Sequence, residues 1–138
     1  MLKTKLLHPE ILAALGSNGH GAKILIADGN YPFTTGTPAS ARKVFLNFSQ
    51  NLLSVVDVLR VLVDYVAVES ALVMLPPDDL VPEVHQEFVE ILGKGTSLAK
   101  VKRFEFYDAA KSGDTCLVIS TGESRRFANI LLTIGVVK

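Results

Sequence analysis

The segment richest in potential chemistry is Asn18-Gly19-His20-Gly21, followed by a short apolar run that ends on Asp28. Glycine on either side of His20 opens backbone geometries closed to other residues, so the imidazole can be held in a tight turn. Histidine titrates near neutrality and can donate or accept a proton at physiological pH. Asp28 is a natural counterpart, orienting the ring or acting opposite it. Their spacing sets a condition. An extended chain over the intervening steps would separate the two by roughly 26 Å, so they cooperate only if the glycine turn folds back or if two copies meet. A solvated turn histidine and a loop-capping aspartate would leave the same pattern.

Two further stretches carry candidate groups. Lys102-Arg103-Phe104-Glu105-Phe106-Tyr107-Asp108 sets hydrogen-bonding side chains among aromatic rings. Pockets for hydroxylated rings use that combination, polar groups on the hydroxyls and a ring against the C–H face. The same residues also make an amphipathic helix with Phe104 and Tyr107 in the core. Thr121-Gly122-Glu123 and then Phe127-Ala128-Asn129-Ile130 form a turn after a strand, a favoured place for ligand contacts. Asn129 can bridge two hydroxyls, since its amide both donates and accepts, or it can cap its own turn.

Other residues point elsewhere. His8 precedes a helix and His85 falls on the polar side of one, neither with ligand-spaced partners, so no metal site is expected. Cys116 lies in an apolar strand and reads as an inert thiol. Gly93, Gly95 and Thr96 lack the Lys-Ser/Thr ending of a phosphate loop, and Ser120-Thr121-Gly122 lacks the glycine pattern of a nucleophile elbow.

These groups need a scaffold, and the pattern supplies one. His8-Pro9-Glu10 opens a short helix through Leu15, with Pro at a first helical position. Lys23–Asp28 reads as a buried strand, and Val44–Phe48 as another. Ser49–Val63 fits a helix with Asp57, Arg60 and Asp64 on one stripe. Ser70–Leu75 is a strand stopped by Pro76-Pro77, and Pro82–Leu92 an amphipathic helix with Val84, Phe88, Ile91 and Leu92 inward. Arg103–Lys111 leans helical, Thr115–Ser120 is a strand, and Ile130–Val137 belongs in a sheet or interface. Strands alternating with helices predict an α/β fold, a single-domain mixed sheet flanked by helices over residues 1–138.

Composition narrows the partners. Lys and Arg number 14 and Asp and Glu 14, so no broad field draws the chain to nucleic acid or to a membrane surface. At 49% hydrophobic and 20% charged, the chain is too apolar for disorder and leaves apolar surface that association would bury. More than one subunit is expected. A single cysteine excludes an internal disulfide framework and a thiolate cluster. Met1–Leu7 lacks the apolar stretch of a signal peptide, and Leu52–Leu75 is broken by Asp57, Arg60, Asp64 and Glu69. A cytoplasmic setting is the expectation.

Taken together, the pieces resemble the D-ribose pyranase / L-fucose mutarotase family nearly end to end. The likeness runs through His8-Pro9-Glu10-Ile11-Leu12, Gly19-His20-Gly21, Ile26-Ala27-Asp28 with Asn30-Tyr31-Pro32, and Leu72-Val73-Met74. It continues in Arg103-Phe104-Glu105-Phe106-Tyr107-Asp108-Ala109-Ala110-Lys111, Thr121-Gly122-Glu123, and Ala128-Asn129-Ile130-Leu131-Leu132 with Gly135-Val136-Val137. The Arg-Phe-x-Phe-Tyr block is closer to the fucose branch. The resemblance implies a ring-shaped homo-oligomer, a pentamer or a decamer of two stacked pentamers, with sites between neighbouring subunits. It implies interconversion of the anomers or ring forms of a free monosaccharide, without metal or cofactor. His20 and Asp28 fall on the family's catalytic positions, and Arg103, Tyr107, Phe127 and Asn129 on its sugar-binding ones. The family usually carries Tyr where this chain has Phe127, which implies slower catalysis or a different sugar unless Tyr107, Tyr31 or a water supplies the hydroxyl. A monosaccharide-binding module of the same fold, without turnover, is the alternative.

Overall fold

The computed structural model describes residues 1–138. Along the chain run α1 (Pro9–Ser17), β1 (Lys23–Ala27), β2 (Arg42–Phe45), α2 (Val55–Leu62), β3 (Val68–Met74), α3 (Glu83–Leu92), β4 (Ser97–Val101), α4 (Arg103–Ala110), β5 (Thr115–Ser120) and β6 (Ile130–Ile134). The strands form one sheet in the order β2-β5-β1-β6-β3-β4. β1 runs parallel to β5, β5 to β2, and β3 to β4, while β6 lies antiparallel between β1 and β3. The expected mixed α/β sheet is therefore present, with five strands sharing one direction and β6 opposing them.

β1 explains its own sequence. It sits in the middle of the sheet, and Ile24, Leu25, Ile26 and Ala27 are all buried because helices or loops cover both faces. Ile24 and Ile26 join the larger core with residues of α1, α2 and α3. Leu25 and Ala27, pointing the other way, join a smaller core with Phe106 and Ala110 of α4 and with Tyr31. Three helices thus cover one face and α4 the other. Because β6 is reversed, its first residues meet the carboxyl ends of β1 and β3 at a single edge of the sheet. Crevices beyond the carboxyl ends of parallel strands are the usual binding sites of such sheets.

Several elements depart from their sequence patterns. α2 begins at Val55, not Ser49: Ser54 caps it, its hydroxyl accepting from Asp57 N while the Asp57 carboxylate accepts from Ser54 N. The residues before it dock instead on the turn after β5, where Asn51 N donates to the Gly122 carbonyl and Gly122 N to that of Leu53. Asn51 and Leu53 take left-handed backbone conformations to do so. A Cβ on Gly122 would sit 2.1 Å from the Ser49 carbonyl oxygen, so glycine is required at this contact. β2 starts at Arg42, earlier than the apolar run suggests. β4 gave no apolar signal, since as an edge strand it is largely exposed. In α4, Phe106 fills the core while Phe104 stays 72% exposed, which rejects a core role for Phe104. His85 is the clearest reversal. The amphipathic pattern puts it on the polar side of α3, yet it is buried to 1% exposure beside Phe88. No helix is long and apolar enough to cross a membrane.

Candidate functional site

Asp28 is the first residue beyond β1 and Asn129 the residue before β6, so antiparallel pairing of these strands brings together residues 101 positions apart. Asp28 N donates to Asn129 Oδ1 at 2.7 Å, and Asn129 Nδ2 donates to Asp28 Oδ2 at 3.1 Å. Asn30 N donates to the other carboxylate oxygen at 2.9 Å. Both side chains are buried. Burial pushes the Asp28 carboxyl above its ordinary value, and the donors from Asn30, Ala128, Tyr31 and Asn129 only partly offset that. A carboxyl group so placed holds a proton more readily than a surface aspartate.

α4 contributes from its first turn. Arg103 Nε donates to Tyr107 Oη at 3.2 Å, one helical turn along, and its guanidinium lies over the rings of Phe104 and Tyr107 at 5.6 and 5.4 Å. Tyr107 meets Tyr31 edge-on at 5.6 Å. The Tyr31 hydroxyl is committed elsewhere: it donates to the Gly36 carbonyl at 2.8 Å, and burial raises its pKa. Tyr31 therefore offers a ring face to the cavity, and the phenol available there is that of Tyr107.

The loop from Thr121 to Asn129 supplies the remaining wall. Thr121 Oγ1 donates to the Ala27 carbonyl, and Glu123 is clamped by Arg125 through two 3.0 Å contacts, Nε to Oε1 and Nη2 to Oε2. Burial alone would raise the Glu123 carboxyl, but the bonds from Arg125 prevail and hold it below its ordinary value. Arg125 also pairs with Glu87 of α3. Phe127 takes a left-handed backbone conformation, with φ of 60°. For a bulky residue this costs about 1–2 kcal/mol, so neighbouring contacts must hold it. The His85 ring donates from Nε2 to the Phe127 carbonyl at 2.9 Å.

Asp28, Arg103, Tyr107, Phe127 and Asn129, five of the residues singled out from the sequence, line one cavity of about 400 Å³. Pockets for small ligands commonly fall between roughly 300 and 1,000 Å³. Asn30, Tyr31, Met74, Pro77 and Arg126 complete the lining. Of these only Tyr31 had been given a role, as a possible source of the hydroxyl missing at Phe127, and its bond to the Gly36 carbonyl removes it from that role. Met74 and Pro77 stand where β3 ends, so the rule about carboxyl ends of parallel strands would have marked them once the topology was known. Arg126, its guanidinium 5.4 Å over the Phe127 ring, carried no sequence signal.

His20 is not in this cavity. It precedes β1, at the opposite edge of the sheet, and its Nε2 lies 2.8 Å from Glu69 Oε2 with both side chains half exposed or more. Gly21 N is bonded to the Ile134 carbonyl at the far end of β6, and β1 then runs straight to Asp28. A fold-back that joins His20 to Asp28 within one chain is thereby overturned. The two-copy alternative remains.

Chemically, the cavity offers a carboxyl of raised proton affinity, amide and guanidinium donors, one uncommitted phenol and three aromatic faces. That set suits a small ring bearing several hydroxyls. No group of three or more His, Cys, Asp or Glu side chains stands together to hold a metal ion.

Residues 1–137 match the model of the RbsD / FucU transport protein family. The chain is 37% identical to the fucose mutarotase of Homo sapiens over 141 residues, covering 95% of this chain and 90% of that protein. It is 29% identical to the D-ribose pyranase of Coprothermobacter proteolyticus, with 99% of each covered. Among solved structures, that of Bacillus subtilis RbsD complexed with D-ribose superposes with a TM-score of 0.85 at 28% identity, over 100% of both chains.

Proposed function

Because the chain belongs to the RbsD / FucU transport protein family, we propose that it is a cofactor-independent monosaccharide mutarotase, with an L-fucose-like aldose as the favoured substrate. The observation that carries this reading is the buried Asp28 carboxyl, held by Asn129 and Asn30 and facing a cavity shared with Arg103 and Tyr107. Opening an aldose ring needs a base to take the proton of the anomeric hydroxyl and an acid to protonate the ring oxygen. Rotation about C1–C2 and closure with the roles exchanged then delivers the other anomer. General acid–base groups typically contribute ~10²–10⁴-fold, enough for a reaction that already proceeds in water.

His20 is the principal proton-transfer group in this scheme, with Asp28 fixing the sugar or tuning His20. Arg103 and Asn129 hold hydroxyls, and Tyr107 and Phe127 pack on the ring. Since His20 and Asp28 stand at opposite edges of the sheet, His20 must come from a second copy. A contact between one edge of one copy and the opposite edge of the next is head-to-tail, and such contacts form a ring when the rotation between copies closes. Exposed Phe45, Phe48, Leu52 and Leu80 are apolar surface that such an assembly can cover. A pentamer, alone or stacked in pairs, is the form proposed.

Saturation-transfer NMR on anomeric mixtures of fucose, ribose and galactose tests the proposal. The protein is expected to exchange magnetisation between anomers faster than buffer, most strongly with L-fucose. Rates equal to the buffer blank for every sugar overturn the enzyme reading. Line broadening without exchange indicates a binding module instead, a reading favoured by Phe127, which has no hydroxyl to relay a proton.

A further inference from the structure

His85 belongs to no part of the scheme above, yet it is among the most buried polar residues of the chain, at 1% exposure. It sits on α3, stacked on Phe88 with ring centroids 5.9 Å apart. Its Nδ1 is sealed from solvent and has no hydrogen-bond partner. Its one polar contact is the 2.9 Å bond from Nε2 to the carbonyl of Phe127. Burial holds the imidazole below its ordinary pKa, so the ring is neutral and its single proton is the one on Nε2. Leaving one ring nitrogen buried and unpaired is unfavourable, and native structures keep such groups sparingly. What the imidazole does at that site is donate to the carbonyl of a residue in a left-handed conformation.

The residue it holds is the one whose ring forms a wall of the cavity. Phe127 is followed by Ala128 and then by Asn129, which carries both bonds to Asp28. Beside this bond, the Arg125–Glu87 pair ties the same loop to the same helix from the surface. α3 thus grips the loop at two points, one charged and exposed, one neutral and buried.

We infer that His85 is a positioning residue: its Nε2–H, donated to the Phe127 carbonyl, fixes the left-handed turn that sets the Phe127 ring as a wall of the sugar cavity. This rests on the mutarotase reading for its kinetic consequence but not for its structural one. His85 touches neither the cavity nor the proton-transfer groups. Its loss should therefore weaken sugar binding and leave the chemical step intact.

His85→Phe keeps an aromatic ring against Phe88 and removes the donor, and His85→Gln restores an N–H at similar reach. In His85→Phe, KM for the exchanged sugar is expected to rise roughly tenfold to hundredfold, the scale on which misplaced binding groups cost activity, with kcat within about twofold. A residue that merely supports folding would instead lower the active fraction, reducing kcat and leaving KM in place. His85→Gln is expected to return KM most of the way to wild type. The carbonyl 13C resonance of Phe127 should shift in His85→Phe and return in His85→Gln. If His85→Phe fails to fold, His85→Leu carries the same comparison. An unchanged KM and an unmoved Phe127 carbonyl signal overturn the inference, as does a fall in kcat alone. If wild type exchanges no sugar, the mutarotase reading fails, and the Phe127 carbonyl signal still decides whether His85 sets the turn.

Discussion

Replacing Asn129 by leucine tests whether the Asp28–Asn129 pair is what holds the site together. Leucine keeps the approximate volume and removes both polar atoms. The Asp28 N–H, which donates to Asn129 Oδ1 at 2.7 Å, is then buried without an acceptor, costing about 1–3 kcal/mol. Asp28 Oδ2 loses its 3.1 Å donor, and a hydrogen bond to a charged group contributes about 1.5–3 kcal/mol. At pH 7 the loss should come to about 3–5 kcal/mol. The two parts respond differently to acid. Burial raises the folded-state pKa of Asp28 above its ordinary value, so the folded protein keeps the proton longer than the unfolded chain. Stability therefore falls as pH rises from the unfolded value through the folded one, and is level above it. Removing the Asn129 donor raises the folded value further and widens that interval. The variant's deficit should accordingly be about 1–2 kcal/mol smaller near pH 4 than at pH 7, because a protonated carboxyl no longer needs the donor. Urea unfolding at matched protein concentration, followed by far-UV circular dichroism because the chain has no tryptophan, measures both deficits. A loss below about 1 kcal/mol at pH 7, or one equal at the two pH values, would refute the claim that Asn129 sustains a charged, buried Asp28.

Two other perturbations probe the assembly and the scaffold. His20→Ala and Asp28→Asn should each abolish anomer exchange alone, yet subunits mixed and assembled together should recover about a quarter of wild-type activity, since that share of interfaces pairs an intact His20 with an intact Asp28; no recovery in a verified mixed assembly removes the shared site. Gly122→Ala drives a Cβ to 2.1 Å from the Ser49 carbonyl oxygen, a backbone atom that cannot swing aside. Overpacking of this kind costs about 1–3 kcal/mol and should lower Tm by roughly 3–10 °C by calorimetry, and an unaltered Tm would mean that residues 49–53 do not dock on this turn.

The sequence by itself determined the elements whose signals are local. Pro9 after His8, the apolar run of β1 and the Pro76-Pro77 stop of β3 mark their own boundaries, because capping, burial on both faces and the fixed φ of proline act over a few residues. It also supplied five cavity residues, since Asp28, Arg103, Tyr107, Phe127 and Asn129 stand in recognisable motifs. Tertiary structure decided what depends on partners distant in the chain. Residues 49–53 have the composition of a helix start, but their amide and carbonyl groups bond to the turn at Gly122, and those bonds delay α2 to Val55. β4 is a strand because β3 offers it a ladder, not because its own residues demand one. His85 follows a polar pattern and is nevertheless buried, because the carbonyl of Phe127 waits opposite it 42 residues later. The spacing of His20 and Asp28 left open whether the glycine turn folds back: only the straight course of β1, paired on both sides, sends them to opposite edges of the sheet. Local pattern sets where a segment bends or buries, whereas the energy of a buried polar group depends on the partner it meets, and that partner is known only once the chain has folded.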